Sequence, residues 1–341
     1  MPFASSVAHK AIVASLKQRV EDVLEPILSR GGAYALLDFP NYANVGDSAI
    51  WLGEQSFLRG IGASISYTCD IVTYSQEDLA RLTSGTILLQ GGGNLGDLWP
   101  DMQHFREAVI RAFPDRKILQ LPQSIHFAKK ANLERARAVF NAHPDLTLLL
   151  RDERSLQFAR NEFRAKSLLC PDMAFALGPL DHPEPPTHEV VWLSRTDIES
   201  SRYTVCTPEP GVHQTDWLED DPSALLAINN FLTRRMWRRL RIECLRRRPL
   251  SRTYDPLARQ RLVRGCKILS RGKAVVTDRL HGHILSLLMG IPHVLLDNNN
   301  GKLRSFYETW TKGSALAVWA DAPEEALTQG LVLARNQRST I

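Results

Sequence analysis

The sequence lacks any apolar run close to the roughly 20 residues that cross a bilayer, so we expect no membrane-spanning helix. Its N-terminal segment is amphipathic and weakly basic, without the apolar centre and cleavage site of a secretory signal. A mitochondrial-type presequence stays open, although a first helix over residues 4–29 is the simpler interpretation. We therefore expect a cytoplasmic protein.

Cysteine is scarce, and its spacing argues against two kinds of structural site. The chain has five cysteines, an odd number, and no CxxC pair. This pattern predicts reduced thiols rather than a disulfide framework or a zinc site. The five are Cys69, Cys170, Cys206, Cys244 and Cys266.

No glycine-rich loop ends in GK[ST], so the sequence has no Walker phosphate-binding motif. The composition is that of an ordinary globular protein, with 44% hydrophobic and 23% charged residues. A length of 341 residues is long for one core and natural for two domains. The formal net charge of +5 suits an acidic ligand or an anionic membrane surface.

Short apolar runs alternate with segments of helical periodicity, which predicts an α/β protein with parallel sheets covered by helices. The proline-dense stretch 179–186 is the best candidate linker. We therefore predict two Rossmann-like domains, residues 1–178 and 179–341, that face a cleft. The last helix, near residues 324–336, could pack back on the first domain. Strands are predicted at 34–38, 64–67, 87–90, 117–121, 146–150, 168–170 and 190–193.

The most informative stretch is residues 275–301, VVTDRLHGHILSLLMGIPHVLLDNNNG. It predicts a buried strand, a turn containing Arg279 and His281, a short apolar helix ended by Gly290, and a second strand after Pro292. Such a unit places the turn at the carboxyl edge of a parallel sheet, where open α/β folds bind ligands. A cation, a histidine and a helix N-terminus together predict a site for a small acidic substrate.

Two other strand ends run into similar polar stretches, FPNYANVGD and GGGNLGD. Their glycines would let backbone N–H groups approach a ligand, and Asn44, Asp47, Asn94 and Asp97 could bind hydroxyl groups or accept a proton. Alternatively the glycines make tight turns and the acids cap helices. Because two such stretches occur in the same half, we favour a binding site.

Arg195 also follows an apolar strand, and with Arg279 it could hold a carboxylate and a phosphate together. A surface arginine paired with Asp197 or Glu199 is an equal alternative for Arg195 alone. His281 could be a core histidine, but its place beside Arg279 favours a general acid or anion donor. His281 and His283 point apart on a helix, so we expect no metal site.

Residues 231–248, FLTRRMWRRLRIECLRRR, contain eight arginines within a helix predicted over 223–248. An apolar stripe with a basic opposite face can lie on an anionic membrane. The alternative is a core-facing stripe with a solvated basic face. Nucleic-acid binding is not expected, because no aromatic-studded basic groove accompanies the run.

An ordered set of motifs resembles the polysaccharide pyruvyl transferases, from about Tyr34 to Trp310. The motifs are NYANVGDSAIWLG, LLQGGGNLGDLWP, LPQSI, LLRDERS, CPDMAFAL, VWLSRTDIES and TDRLHGHILSLLMGIPHVLLDNNNGKLRSF. The resemblance implies transfer of a pyruvyl group from phosphoenolpyruvate to two hydroxyls of one sugar, with formation of a cyclic ketal and release of phosphate. It also implies a two-domain fold like that of the glycosyltransferase-B enzymes. Phosphoenolpyruvate would be a co-substrate, and no other cofactor is expected.

The same resemblance implies roles for individual residues. His281 would supply a proton or assist the departure of phosphate, and Asp97 or Asp47 would deprotonate the hydroxyl. The donor would bind Arg195, Arg279, Leu280 and Lys302, and the acceptor would face Asn44, Asn94 and Gln123. The acceptor of such enzymes is commonly a lipid-linked sugar, which gives residues 234–248 a meaning as a contact with the inner membrane face.

Two alternatives remain open from the residues. One is a nucleotide-sugar glycosyltransferase of the same architecture, whose arginines would grip a diphosphate. The other is a glycan- or lipid-binding protein without catalytic activity.

Overall fold

The computed structural model describes residues 2–200, 209–239, 244–297 and 300–338, with side chains outside 2–8 and 233–250. A seven-stranded parallel sheet occupies the first half, in the order β2-β1-β3-β5-β6-β7 with β4 beside β5. Its strands are β1 (Ala33–Leu37), β2 (Ser64–Cys69), β3 (Ile87–Leu89), β4 (Gly92–Gly96), β5 (Ile118–His126), β6 (Leu146–Leu150) and β7 (Lys166–Leu169).

A five-stranded parallel sheet follows the proline-dense stretch, in the order β12-β11-β10-β8-β9. Its strands are β8 (His188–Leu193), β9 (Val212–Thr215), β10 (Gly272–Thr277), β11 (His293–Leu295) and β12 (Ala317–Trp319). The two Rossmann-like parallel sheets confirm the α/β class. The likeness to glycosyltransferase-B enzymes and the division at residue 178 stay predictions.

Helices cover both sheets, as the β-α alternation predicts. A 3₁₀ turn at Met173–Leu177 follows β7, and a π-helical turn at Tyr307–Thr311 follows α10. The α-helices are α1 (Pro2–Leu24), α2 (Val45–Gly60), α3 (Gln76–Leu82), α4 (Pro100–Ala112), α5 (Lys130–Ala142), α6 (Glu153–Glu162), α7 (Ala224–Arg239), α8 (Cys244–Ser270), α9 (Leu280–Met289), α10 (Lys302–Phe306) and α11 (Pro323–Arg338).

The stretch GGGNLGD is a strand for most of its length, which corrects the expectation of a glycine-rich loop. After β3, the chain kinks at Gly91, whose N–H donates to Glu54 Oε1 over 2.8 Å. It then rejoins the sheet as β4, which pairs with the second half of β5. Gly92 and Gly96 have φ values of 135° and 128°, which strongly favour glycine. The glycines therefore allow a kinked strand rather than a turn that opens a helix.

The strand–turn–helix–strand unit predicted at residues 275–301 is confirmed through β10, α9 and β11. Gly290 ends α9 in the left-handed conformation, with φ of 73°. Among the described residues, no side chain caps the other end of α9, where Arg279 is the N-cap residue. The N–H groups of its first turn have no acceptor within the helix, as at any helix N-terminus.

The two halves share one continuous apolar core. Helix α8 packs on α2, and α9 packs on α1, α2 and the turn after β7. A single buried cluster accordingly includes Val45 and Trp51 of the first half and Ala258 and Leu285 of the second. Trp51 Nε1 also donates to Asp255 Oδ1 over 2.8 Å.

The last helix lies on the second sheet, whereas the sequence suggested that it could pack back on the first domain. Helix α11 packs on β8, β10 and β11 of the second sheet, where Ala326 and Ala334 are buried against Val190 and Val276. Small residues on this face let the helix approach the sheet closely. The first helix, by contrast, contacts α9 of the second half.

The arginine-rich run is helical on both sides of residues 240–243, as α7 and α8. Residues 240–243 and the side chains of 233–250 lie outside the described part, so the predicted basic face stays a prediction. Ile228 and Phe231, in the described part of α7, are each about half exposed. In the described ranges, no helix combines the length and apolarity that a membrane span requires.

A chain of buried hydrogen bonds fixes α9 to the second sheet. His293 Nδ1 lies 2.7 Å from the carbonyl of Ile291, and its Nε2 lies 2.7 Å from His283 Nδ1. His283 Nε2 then meets Thr311 Oγ1 at 2.8 Å. A carbonyl only accepts, so both rings carry their proton on Nδ1 and Thr311 donates. Burial lowers the pKa of His293 to about 4 and that of His283 well below its ordinary value.

These histidines make the fold sensitive to acid. Between about pH 6.5 and 4, these histidines bind protons in the unfolded chain but not in the folded one. The free energy of unfolding therefore decreases as the pH is lowered through this range. His293→Gln should make the free energy of unfolding depend less on pH in this range. It should also lower that free energy by about 1–3 kcal/mol at neutral pH, because the series of buried hydrogen bonds is interrupted. The measurement is urea unfolding across this pH range, with exposed His104→Gln as control; equal slopes in all three proteins would contradict the assignment.

Candidate active site

A cavity of about 450 Å³ lies where the carboxyl ends of strands from both sheets meet. The first half contributes the start of α2, the middle of β4 and the residue after β6. The second half contributes the segments after β8, β9 and β10 and the start of α10. Most site residues predicted from the sequence line this cavity: Asn44, Asp47, Asn94, Arg195, Arg279, Leu280, His281 and Lys302.

The first turn of α2 forms one wall. Asn44 caps the helix, because its Oδ1 accepts from the Gly46 N–H over 3.2 Å, and its Nδ2 donates to Asp47 Oδ2 over 2.7 Å. Capping and binding are thus compatible for Asn44, since both it and Asp47 face the cavity. A Cβ on Gly46 would lie only 2.4 Å from His281 Nδ1. Glycine is needed here so that α2 can approach the histidine.

The start of α9 brings His281 to the cavity beside the first turn of α2. The side chain is about nine-tenths buried, and its Nε2 lies 3.4 Å from Asp172 Oδ2, within ion-pair range. Burial alone would raise the pKa of Asp172, but His281, Arg151 and the Ala174 N–H hold it well below the usual range. Asp172 is therefore a carboxylate at neutral pH.

Both predicted arginines are held by carboxylates. Arg279 donates hydrogen bonds from Nε and Nη2 to the two carboxylate oxygens of Asp216, each over 2.6 Å. Arg195 binds Asp197 in the same forked way, at 2.9 and 2.8 Å. The predicted pairing of Arg195 is thus present, but its side chain is only 11% exposed and lines the cavity. Within the described chain, nothing accepts a hydrogen bond from Nη1 of either arginine, so each keeps donors for a ligand.

Glu199 joins the two halves at the edge of the cavity. Its carboxylate accepts from Lys302 Nζ over 3.1 Å and from Trp99 Nε1 over 3.2 Å. Lys302 also donates to the carbonyl of Gly93 in β4 over 2.9 Å. Although burial opposes ionisation, Lys302 and Arg195 lower the pKa of Glu199 to about 2. The ion pair therefore persists over the whole physiological range.

The cavity lining is balanced in charge. Its cations are Arg151, Arg195, Arg279 and Lys302, and its carboxylates are Asp47, Asp101, Asp197 and Glu199. Any affinity for an anion must therefore come from donors aimed at a fixed point rather than from net positive charge.

Asp97 does not line the cavity, which corrects its prediction as a catalytic base. Its two oxygens accept from the N–H groups of Ala128 and Lys129, each at 2.8 Å, and from Asn132 Nδ2. Burial would raise the pKa of Asp97, but these hydrogen bonds lower it overall. These three hydrogen bonds fix the chain at the start of α5.

Gln123, predicted to contact the acceptor, is fully buried behind the cavity instead. Its Oε1 accepts from the Asn94 N–H, and its Nε2 donates to Asn94 Oδ1 over 2.8 Å. Arg106 Nη2 donates to the same Asn94 oxygen over 2.7 Å. Gln123 and Arg106 therefore fix Asn94, which alone of the three lines the cavity.

Sequence reasoning missed Arg151 and Asp172 as site residues. Arg151 follows β6 directly, and Asp172 comes shortly after β7, so both stand at carboxyl ends of strands. Arg151 Nη1 donates to Asp172 Oδ2 over 2.7 Å, and both side chains are buried. The signal was the one used for Arg195 and Arg279, a charged residue after an apolar strand.

Comparison with known proteins identifies the family. Residues 44–300 match the Polysaccharide pyruvyl transferase family. The chain belongs to this family. Pyruvyl transferase 1 of Schizosaccharomyces pombe is 33% identical over 321 residues, covering 86% of this chain and 74% of that protein. Membership makes pyruvyl transfer in polysaccharide modification the class of activity.

A solved structure supports the fold independently of the sequence. A functionally uncharacterized protein of Klebsiella pneumoniae superimposes with a TM-score of 0.58 at 18% identity. The alignment covers 90% of this chain and 99% of that one. At this identity the likeness concerns the fold alone, and the polysaccharide pyruvyl transferase assignment rests on the sequence.

The hydrogen bonds of Asp97 predict a structural role. Asp97→Ala should lower the free energy of unfolding by about 1–3 kcal/mol, because two backbone donors lose a charged acceptor. Pyruvyl transfer per folded molecule should stay within about threefold of wild type. Urea unfolding and a transfer assay measure the two effects, with exposed Asp115→Ala as control. Loss of transfer at unchanged stability would restore Asp97 as the base.

Proposed function

We propose that this protein transfers the pyruvyl group of phosphoenolpyruvate to two hydroxyls of one sugar in a polysaccharide precursor, releasing phosphate. One observation carries the proposal: Arg195, Arg279 and Lys302 meet His281 and the open first turn of α9 in a single cavity. Phosphoenolpyruvate presents a carboxylate and a phosphate, which need two groups of donors, and a double bond, which needs a proton.

The donor side is the second half of the cavity. The Nη1 groups of Arg195 and Arg279 and the N–H groups of α9 would bind the phosphate and carboxylate oxygens. Asp197 and Asp216 keep the two guanidinium groups in place before the donor arrives. Fixed donors of this kind lose little entropy when the ligand binds.

The reaction needs a proton at C3 and two bonds at C2. His281 would protonate C3, which turns the CH₂ group into a methyl group and leaves C2 with oxocarbenium character. One hydroxyl oxygen adds to C2 and loses its proton to Asp47. The C2–O bond to phosphate then breaks, the second hydroxyl adds, and its proton leaves with the phosphate. Acid–base help of this kind contributes about 10²–10⁴-fold in rate.

The acceptor would enter from the first half of the cavity. Asn44 and Asn94 are fixed by hydrogen bonds and offer amide groups near Asp47. Sugar hydroxyls are both donors and acceptors, so amides suit them. The aromatic rings of Tyr42 and Trp99 line the same cavity and could pack on the apolar face of a sugar ring.

Donor binding can be measured without knowledge of the acceptor. Phosphoenolpyruvate at 100 times its dissociation constant should stabilise the native state by about 2.7 kcal/mol. Arg279→Lys keeps the charge but cannot reproduce the fork on Asp216, so we expect at least a tenfold loss of affinity. The measurement is thermal unfolding with phosphoenolpyruvate, with exposed Arg30→Lys as control. Stabilisation by UDP- or GDP-sugars alone would instead support a glycosyltransferase.

The contact between Gly46 and His281 gives a second test. In Gly46→Ala the new methyl group must displace the His281 ring, and a shift of about 1 Å at a reacting group can cost about 10²-fold in rate. The matched control is Gly60→Ala in the same helix, where a Cβ meets nothing within 4 Å.

The readout is phosphate release from phosphoenolpyruvate with glycosides that bear neighbouring free hydroxyls. Circular dichroism checks that both variants fold. Equal rates in the two variants would argue against His281 as the proton donor.

A further inference from the structure

Asp172 lies between two cavity residues that come from different halves of the chain. Its Oδ2 is 2.7 Å from Arg151 Nη1 and 3.4 Å from His281 Nε2. Its Oδ1 accepts from the Ala174 N–H over 2.9 Å, which caps the 3₁₀ turn after β7. The carboxylate itself is fully buried and does not line the cavity. It can therefore act only through its neighbours.

The two ring nitrogens of His281 have different surroundings. Nε2 is shielded from solvent, and within the described residues no group accepts a hydrogen bond from it at ordinary distance. The nearest acceptor is Asp172 Oδ2, slightly beyond that distance. Nδ1 lies on the other edge of the ring, next to Gly46 at the start of α2. A small movement of the ring would complete the bond from Nε2 to Asp172.

We infer that Asp172 is a positioning residue, which keeps the His281 proton on Nε2 and leaves Nδ1 as the nitrogen that exchanges a proton with the substrate. A carboxylate accepts hydrogen bonds but cannot donate them, so it favours the ring form with hydrogen on the nitrogen that faces it. The statement about the ring form concerns this chain alone. The statement about Nδ1 in catalysis rests on the proposed function.

The same carboxylate fixes Arg151. Arg151 donates hydrogen bonds from Nε to Ser124 Oγ over 2.9 Å and from Nη1 to Asp172 Oδ2. Its third nitrogen, Nη2, then lies beside Gly93 of β4. A Cβ at Gly93 would lie 2.8 Å from that Nη2 atom. Asp172 thereby sets the position of a cation and of a histidine with a single group. The other charged groups that line the cavity are Asp47, Asp101, Asp197, Glu199, Arg195, Arg279 and Lys302.

Substitution by asparagine separates the orienting role from the capping role. In Asp172→Asn, an oxygen can still accept from Ala174, but an NH₂ group now faces Nε2 and Arg151. A donor opposite Nε2 favours the ring form with hydrogen on Nδ1. The matched control is Asp152→Asn, since Asp152 is also buried and also caps a helix, through the Ser155 N–H at 2.9 Å.

The test is the ring form of His281, read from ¹⁵N chemical shifts of histidine-labelled protein about two pH units above the ordinary histidine pKa. His281→Gln assigns the signal. We expect hydrogen on Nε2 in wild type and in Asp152→Asn, and on Nδ1 in at least half of the Asp172→Asn molecules. Hydrogen on Nδ1 in wild type would overturn the inference even if no variant folded. An unchanged ring form in folded Asp172→Asn would overturn it as well.

Kinetics then test the catalytic part. We expect Asp172→Asn to lower kcat about 10²-fold or more, with KM for phosphoenolpyruvate within about threefold, because the donor contacts stay in place. A higher KM for phosphoenolpyruvate without a lower kcat would contradict the orienting role. If wild type releases no phosphate from phosphoenolpyruvate, the proposed function fails, whereas the ring-form result still decides the role of Asp172.

Discussion

The close approach of α2 to the second half of the chain is the contact on which the site depends. Two glycines make it possible: a Cβ on Gly46 or Gly265 would lie within 2.4 Å of His281 or Val45, respectively. Side chains at these positions would push α2 away from α9 and α8. The core would then divide in two, and the two walls of the cavity would separate.

A second constraint is the burial of cations. A guanidinium or ammonium group removed from water is strongly destabilising unless carboxylates and hydrogen bonds surround it. Each cation in the cavity accordingly has a carboxylate partner: Asp172 for Arg151, Asp197 for Arg195, Asp216 for Arg279 and Glu199 for Lys302. The structure thus obtains oriented donors without net positive charge. A donor with two anionic groups would bind through the remaining N–H groups, and the selectivity of the site would follow from the directions of those groups.

The strands and several cavity residues were predictable, because an apolar run followed by a charged residue marks a strand end in a parallel sheet. Arg195, Arg279 and His281 followed from this rule, and it also applied to the missed Arg151 and Asp172. What the sequence could not show is where a side chain at a strand end points. Asp97 turns toward the start of α5, and Gln123 turns inward, because backbone donors there compete for their oxygens. The kink that makes GGGNLGD a strand depends on Glu54, which is distant in sequence.

The shared core also bears on how a ligand enters. Rotating one half away from the other would expose α2, α8 and α9, at roughly 25 cal/mol for each Å² of apolar surface. The cavity could instead open if Glu199 released its hydrogen bonds to Trp99 and Lys302. This change would expose little apolar surface, since both contacts are polar. A rearrangement of these side chains is therefore a less costly way to admit a ligand than a rotation of one half of the chain. It also keeps Asp172 of the first half beside His281 of the second, so the proposed acid would stay oriented while the substrates enter and leave.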